Sequence, residues 1–341
     1  MNTSKKSTEN SHWMAPKTAN KLRKIGIAFL RILVPLGLLI LLGLAVYNQW
    51  NDVRTVIATA HWGMVLIGLL FLMLSQPLMG WISWCILKSL GQTQPFLKIS
   101  TVYFISQAAK YLPGGIWAFP SRVVAYQAIG VEKSASVVSL VEEISALFLG
   151  ATLVGLTGLL QGLPVPAWVR TSAIAGVGAC IAAVLVFQLS ISWKVAQKFR
   201  LVGDQTVAAF ESQRAQIKGR WLVLAMLGSF AFWFLVGIGF HFLVNGINQE
   251  ALQLSLLQAA SLFALAWCAG FVIILAPAGL GVREAAISVL LLPVMGASHA
   301  LSIALVARLW WTMGEAGFIL IALLWSAGRW KLEKPVSDIT T

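Results

Sequence analysis

The sequence predicts an all-α polytopic membrane protein, with about six full spans and two broken or re-entrant helix hairpins arranged as an inverted repeat, both termini cytoplasmic. Three observations lead there. Of 341 residues, 58% are apolar and only 11% charged, with a mean hydropathy of +0.82, whereas a soluble domain carries about 25% charged residues. Apolar runs too long for core helices recur from Ile25 to Trp325 and leave no room for a soluble catalytic domain beside them. The basic residues that bring the formal charge to +13 sit between these runs. That is the pattern of cytoplasmic loops, not of an aromatic-interleaved nucleic-acid surface, so no nucleic-acid partner is expected.

In chain order, residues 1–24 form a basic, Ser/Thr/Asn-rich tail, and the apolar run that follows exceeds a signal-peptide core, so it reads as an uncleaved anchor. Full-length runs at 25–47, 62–87, 134–160, 172–192, 221–244 and 300–325 are each long enough, at about 1.5 Å per residue, to cross a hydrocarbon core of about 30 Å. The stretches 99–130 and 252–297 are also apolar but are interrupted. The first holds Pro113, Gly114, Gly115 and Pro120; the second holds Pro277, Gly279 and Gly281. Proline and clustered glycines end helices, so these positions are predicted hinges or helix breaks.

The positive-inside rule decides how the interrupted stretches behave. If 99–130 crossed once, the loop 193–220, with Lys194, Lys198, Arg200, Arg214, Lys218 and Arg220, would fall outside. A hairpin that starts and ends on the cytoplasmic side returns it inside. A single crossing by 252–297 would likewise strand Arg329, Lys331 and Lys334, and a hairpin from the outer face restores them. Of the basic residues in loops, only Arg54 and Arg170 then face outward. Two hairpins from opposite faces, each led by a Pro-Gly break and each followed by a long span, are the pattern of an inverted repeat, with halves near 62–192 and 221–325 inside one membrane domain over 25–328. Residues 329–341 form a short cytoplasmic tail. The loop 193–220 reads as an amphipathic surface segment near anionic lipids.

Ionisable residues within spans cost about 2.5–3.5 kcal/mol each on insertion scales, so they face partners or wet cavities. Arg31 lies near the cytoplasmic end of its span and can snorkel. Lys110 and Arg122 flank the first break. Glu142 and Glu143 lie about 12 Å into their span; adjacent helical residues point about 100° apart, so one can pair with Arg122 or a later arginine while the other faces a cavity. Arg283 and Glu284 directly follow the second break, where a helix starting at membrane depth offers free N–H groups and a positive dipole end, and Arg283 adds a bidentate phosphate donor. Arg308 and Glu315 are seven residues apart on nearly the same face, too far to pair, so each needs a partner from elsewhere. The candidate substrate-binding set is therefore Arg283, Arg308, Glu284, Glu142, Glu315 and Arg122, with Trp117 and Trp311 beside the path. An internal Arg-Glu staple is the competing reading of Arg283 and Glu284.

Cys85, Cys180 and Cys268 lie in apolar runs without paired spacing, and His12, His61, His241 and His299 lack neighbouring ligands, so no metal is expected. No nucleophile elbow, P-loop, dinucleotide fingerprint or zinc-protease helix is present, so no cofactor and no enzyme activity are expected.

The run Lys110, Tyr111, Leu112, Pro113, Gly114, Gly115, Ile116, Trp117, continuing through Arg122 and Gly130 to Glu142, resembles the lysylphosphatidylglycerol synthase transmembrane region family, also called flippase-like. The second run, from Pro277 through Gly279, Gly281, Arg283 and Glu284 to the later Arg308, carries the same resemblance. This likeness implies two inverted repeats with broken helices, and movement of a lipid between leaflets. Many relatives have Glu-Arg followed shortly by Asp in the first half; Glu143 and Ala146 stand at those places here, so no role of that Arg carries over. The bifunctional members carry a soluble aminoacyl transferase domain that this chain is expected to lack, so synthesis of lysylphosphatidylglycerol is not expected of it. The expected function is lipid translocase of the plasma membrane, with a membrane lipid as substrate. The alternative is a non-catalytic subunit that recruits or stabilises a glycosyltransferase or other lipid-modifying enzyme; a homo-oligomer is compatible with either.

Overall fold

The computed structural model describes residues 50–111, 117–162, 167–188, 218–247, 254–272 and 281–330, with the isolated positions 44, 47 and 212. The first predicted span, most of the loop 193–220, the tails at 1–24 and beyond Trp330, and Arg31, Pro113, Gly114, Gly115, Pro277 and Gly279 lie outside them. All regular structure among the described residues is helical: α1 Trp50–Ala58, α2 Trp62–Ser89, α3 Phe96–Gln107 with a 3-10 turn Ala108–Tyr111, α4 Ala118–Ala128, α5 Lys133–Leu160, α6 Ala167–Gln188, α7 Gly219–Ile247, α8 Leu256–Val272 and α9 Val282–Trp330. Four of these, α2, α5, α7 and α9, are long and apolar enough to cross a membrane, so the chain is an integral membrane protein. Helix α6 takes the place of the predicted run 172–192.

The core is built around the antiparallel pair α2 and α7. Its two ends are tied by backbone: His61 N–H donates to the Gly246 carbonyl (2.7 Å), and Lys218 N–H donates to the Ser89 carbonyl (3.0 Å). Between them the chains come close because neither has a side chain in the way. A Cβ on Gly68 would lie 2.5 Å from the Gly239 carbonyl oxygen. Such small-residue contacts, rather than expulsion of water, hold helices together inside a bilayer. Helix α5 packs on the same pair through Ser229 Oγ, which donates to the Ala146 carbonyl (2.8 Å), and Trp233 Nε1, which donates to the Leu147 carbonyl (2.9 Å). Helix α8 docks on α5 where Ser261 Oγ donates to the Gly155 carbonyl (2.5 Å).

The segment 99–130 is two short helices, α3 and α4, packed on one another across the break at 112–116. At 12 and 11 residues each is about 18 Å long or less, too short to cross. Their outer ends meet. Gln94 Nε2 donates to the Gly130 carbonyl (2.7 Å) and Glu132 N–H to Gln92 Oε1 (3.3 Å). The chain therefore leaves and returns to one end of the bundle, the end that also carries Lys88, Lys98, Lys133, Lys218 and Arg220.

The segment 252–297 starts at the opposite end. Ser255 and Gln258 form a capping box there: Ser255 N–H donates to Gln258 Oε1 (3.0 Å) and Gln258 N–H to Ser255 Oγ (3.3 Å). After the break, Gly281 (φ 81°) starts α9. The predicted separation between this hairpin and the last span falls at Gly296, whose φ of 74° and ψ of 172° interrupt α9 three residues after Pro293. A residue with a side chain pays for φ near +75°, so glycine suits both positions. The C-terminal arm of α9 then runs in the direction of α2, with Gly314 against Leu72 and Gly317 against Met73.

Candidate functional site

The embedded charges form two neighbouring clusters, each joining a broken hairpin to a long helix. In the first, α4 buries Arg122 to 2% exposure. Its Nη1 donates to Glu143 Oε1 on α5 (2.6 Å), its Nε donates to Ser106 Oγ on α3 (3.0 Å), and its guanidinium lies 4.1 Å from the centre of the Tyr103 ring. Gln107 Nε2 donates to the Tyr103 hydroxyl (2.7 Å). Arg122 is thus saturated by protein: a carboxylate, a hydroxyl and a ring face. Glu142, next to Glu143 on α5, is buried to 3%.

In the second cluster, Glu315 on α9 is the hub. Its Oε1 accepts from Lys110 Nζ and from Trp311 Nε1 (2.7 Å), and its Oε2 accepts from the Tyr111 hydroxyl (2.5 Å). Lys110 and Tyr111 are the last described residues before the first break, so the inner end of one hairpin is pinned to the last helix. Arg308, two turns nearer the N-terminus of the same helix, has Nη1 3.4 Å from Glu284 Oε1. Glu284 Oε2 in turn accepts from the Gly281 N–H (2.6 Å), the carboxylate half of a capping box that leaves the new helix with a fixed start.

Arg283 differs from the other cations. It is 8% exposed, yet Nε and Nη1 have no hydrogen-bond partner among the described residues. Its guanidinium lies 4.8 Å from the Trp311 ring centre and 5.9 Å from that of Phe263. The ring faces offset part of the cost of burial, and Arg308, Glu284 and Glu315 are within electrostatic reach. The two N–H-bearing nitrogens left without a partner among the described residues suit a planar or tetrahedral oxyanion.

Between the clusters lies a small cavity of about 20 Å³ lined by Gln76, Tyr103, Gln107, Phe232, Trp311 and Glu315 among others, room for about one water molecule. Gln76 is 4% exposed and its Nε2 has no partner among the described residues.

The predicted residues therefore assemble unevenly. Arg283, Glu284, Arg308 and Glu315 come together, and Arg308 and Glu315 each find the separate partner that their spacing demanded. Arg122 pairs with Glu143 and not Glu142. Trp311 joins the site, whereas Trp117 is half exposed beside the first break. Gly281 has the positive φ expected of a helix break. The residues that the sequence did not single out are Gln76, Tyr103 and Gln107, and Tyr111 entered only as part of the first motif, without a role. For Gln76 a signal existed, an amide next to Pro77 inside an apolar run. Among the described residues no group of His, Cys, Asp or Glu is placed to hold a metal ion.

Residues 26–314 match the family model described as the lysylphosphatidylglycerol synthase TM region. No curated protein matches the chain.

Proposed function

The chain belongs to the lysylphosphatidylglycerol synthase TM region family, and from that membership we propose that it is a lipid translocase of the plasma membrane, moving a phospholipid or lipid-linked head group between leaflets without altering it chemically. The observation that carries this reading is Arg283, a buried guanidinium whose Nε and Nη1 have no hydrogen-bond partner among the described residues, at the start of a helix that begins inside the bundle. A phosphate would satisfy those donors and lie at the positive end of the helix dipole.

In this mechanism the two broken segments are re-entrant hairpins from opposite leaflets, and the basic end of the bundle is cytoplasmic. Arg283 takes the phosphate, with Arg308 joining when Glu284 releases it. Glu284, Glu315 and Glu142 balance charge or accept from an amine or sugar hydroxyl. Arg122 holds the first hairpin on α5. Rocking of the halves about the breaks at 112–116 and 273–281 exposes the site to each leaflet in turn. The Lys110, Tyr111 and Glu315 contact supports this arrangement, because it is a polar junction between the hairpin and α9 that a charged head group can compete for.

The test is leaflet exchange of labelled phospholipids in proteoliposomes. Native protein is expected to exchange at least one lipid class, and Arg283→Ala at matched folding to lose it by about a hundredfold, the scale of two charge-assisted hydrogen bonds. No exchange above empty vesicles by the native chain, across phospholipids and polyprenyl-linked sugars, overturns the reading.

A further inference from the structure

The polar cavity is separated from the surrounding bilayer by a wall one residue thick. On α2, Gln76 lines the cavity and Pro77 the outer side; on α3, Tyr103 lines the cavity and Phe104 both sides; on α9, Ile319 lines the cavity and Phe318 the outer side. The Phe104 and Phe318 rings close the wall with centres 5.1 Å apart. Both belong to a small apolar cluster that meets the main core only through Met79 of α2.

Outside the wall runs a groove of about 230 Å³ between α3 and the C-terminal arm of α9. Its sides are Leu97, Thr101, Ile321 and Trp325, and its floor includes Ala322. Leu97, Ile321 and Trp325 are about half exposed, toward the end of the bundle that carries Lys98, the depth at which a lipid's acyl chain meets its head group. The volume exceeds the roughly 150 Å³ that accepts a benzene ring; it is the size of a segment of one chain rather than of two. On the other side of the wall waits a polar residue whose buried Nε2 has no acceptor among the described residues, Gln76.

An apolar slot for one chain, backed across Phe104 by a one-water cavity that carries Gln76, Gln107 and Glu315 and widens only when a head group enters, fits the two ends of one amphiphile. We propose that this groove holds one acyl chain of the transported phospholipid, and that Phe104 and Phe318 are the lateral gate through which its head group passes into the cavity. The inference rests on the lipid-translocating reading above. Gln76 Nε2 then donates to a head-group oxygen once the gate has opened, and the chain stays in the groove while the head group crosses.

The experiment places the full chain in vesicles of phosphatidylethanolamine and phosphatidylglycerol, doped with phosphatidylglycerol carrying a diazirine on one acyl chain. Photolabelled positions are located by mass spectrometry in the native protein and in Thr101→Trp and Ala322→Trp, each of which fills the groove from a different side. Labelling of the native chain is expected to concentrate at Leu97, Thr101 and Ile321, several-fold above the exposed positions Leu66 and Leu70 on α2 and Val223 on α7. In either variant it falls to the level of those controls, and leaflet exchange slows by about tenfold or more. Equal labelling at the control positions, or grooves still labelled in both tryptophan variants of native thermal stability, overturns the proposal. If the native chain exchanges no lipid, the translocase reading falls and the labelling pattern alone decides whether the groove holds a chain.

Discussion

Arg283 and Arg122 differ in what they can do, although both are buried guanidinium groups beside aromatic rings. Arg122 has a carboxylate at 2.6 Å and a hydroxyl at 3.0 Å, so its charge is committed to structure. Glu143→Ala would leave that charge buried alone, and a loss of about 3–5 kcal/mol is expected, read as a large drop in melting temperature in detergent. Replacing both partners by leucine is expected to recover most of it, because paired apolar side chains fill the same space without an orphaned charge. Arg283→Lys keeps the charge but loses the planar fork. Lipid exchange is expected to fall well below native with melting temperature unchanged, whereas a purely structural Arg283 would lower both together. The sequence showed which residues were embedded, since charges in apolar runs stand out. It did not show who pairs with whom. Lys110 and Glu315 are 205 positions apart, and adjacent Glu142 and Glu143 differ only in the helix face they present.

At the scale of elements, the informative letters were proline and glycine. The ends of α3 and α8 and the starts of α4 and α9 flank the Pro-Gly clusters that stood out in the sequence, whereas the Ser255 and Gln258 capping box at the start of α8 was not singled out. The interruption at Gly296 was legible only as the gap between two apolar runs, because Pro293 alone does not say where the chain turns. Gly281→Ala places a side chain at φ 81°, which costs about 1–2 kcal/mol and shifts the start of α9 that Glu284 caps. Lower stability together with weaker exchange is expected, and exchange unaffected by a confirmed loss of stability would show that the helix start does not orient Arg283. Helix packing offers a separate check. A Cβ on Gly237 would lie 2.3 Å from the Ala260 Cβ, so Gly237→Val must push α7 from α8 and is expected to cost about 1–3 kcal/mol by overpacking.

For the whole molecule, charge parity along the chain predicted which segments return to the side they left, and the meeting of residues 92–94 with 130–132 has that form. Loop charges encode sidedness because insertion responds to them; they do not encode which helices touch, which depends on small residues such as Gly68 and Gly239 brought together only in the fold. Single cysteines at Gln92 and Glu132, in a background without Cys85, Cys180 and Cys268, are expected to react with an impermeant thiol reagent from the same, cytoplasmic, face, and cysteines at His61 and Gly162 from the other. Labelling of positions 92 and 132 from opposite faces would remove the hairpin.

The pairing of the embedded ions also bears on membrane voltage. Lys110 faces Glu315, Arg122 faces Glu143 and Arg308 faces Glu284, so those parts of the machinery travel as neutral dipoles when the halves rock. Each elementary charge that crosses the field is worth about 2.3 kcal/mol per 100 mV, and on this architecture that work falls on Arg283 and the head group it holds. With Arg283 kept at a fixed depth while the halves rock, a zwitterionic lipid should cross at a rate indifferent to an imposed potassium diffusion potential, and an anionic one should be driven toward the positive side.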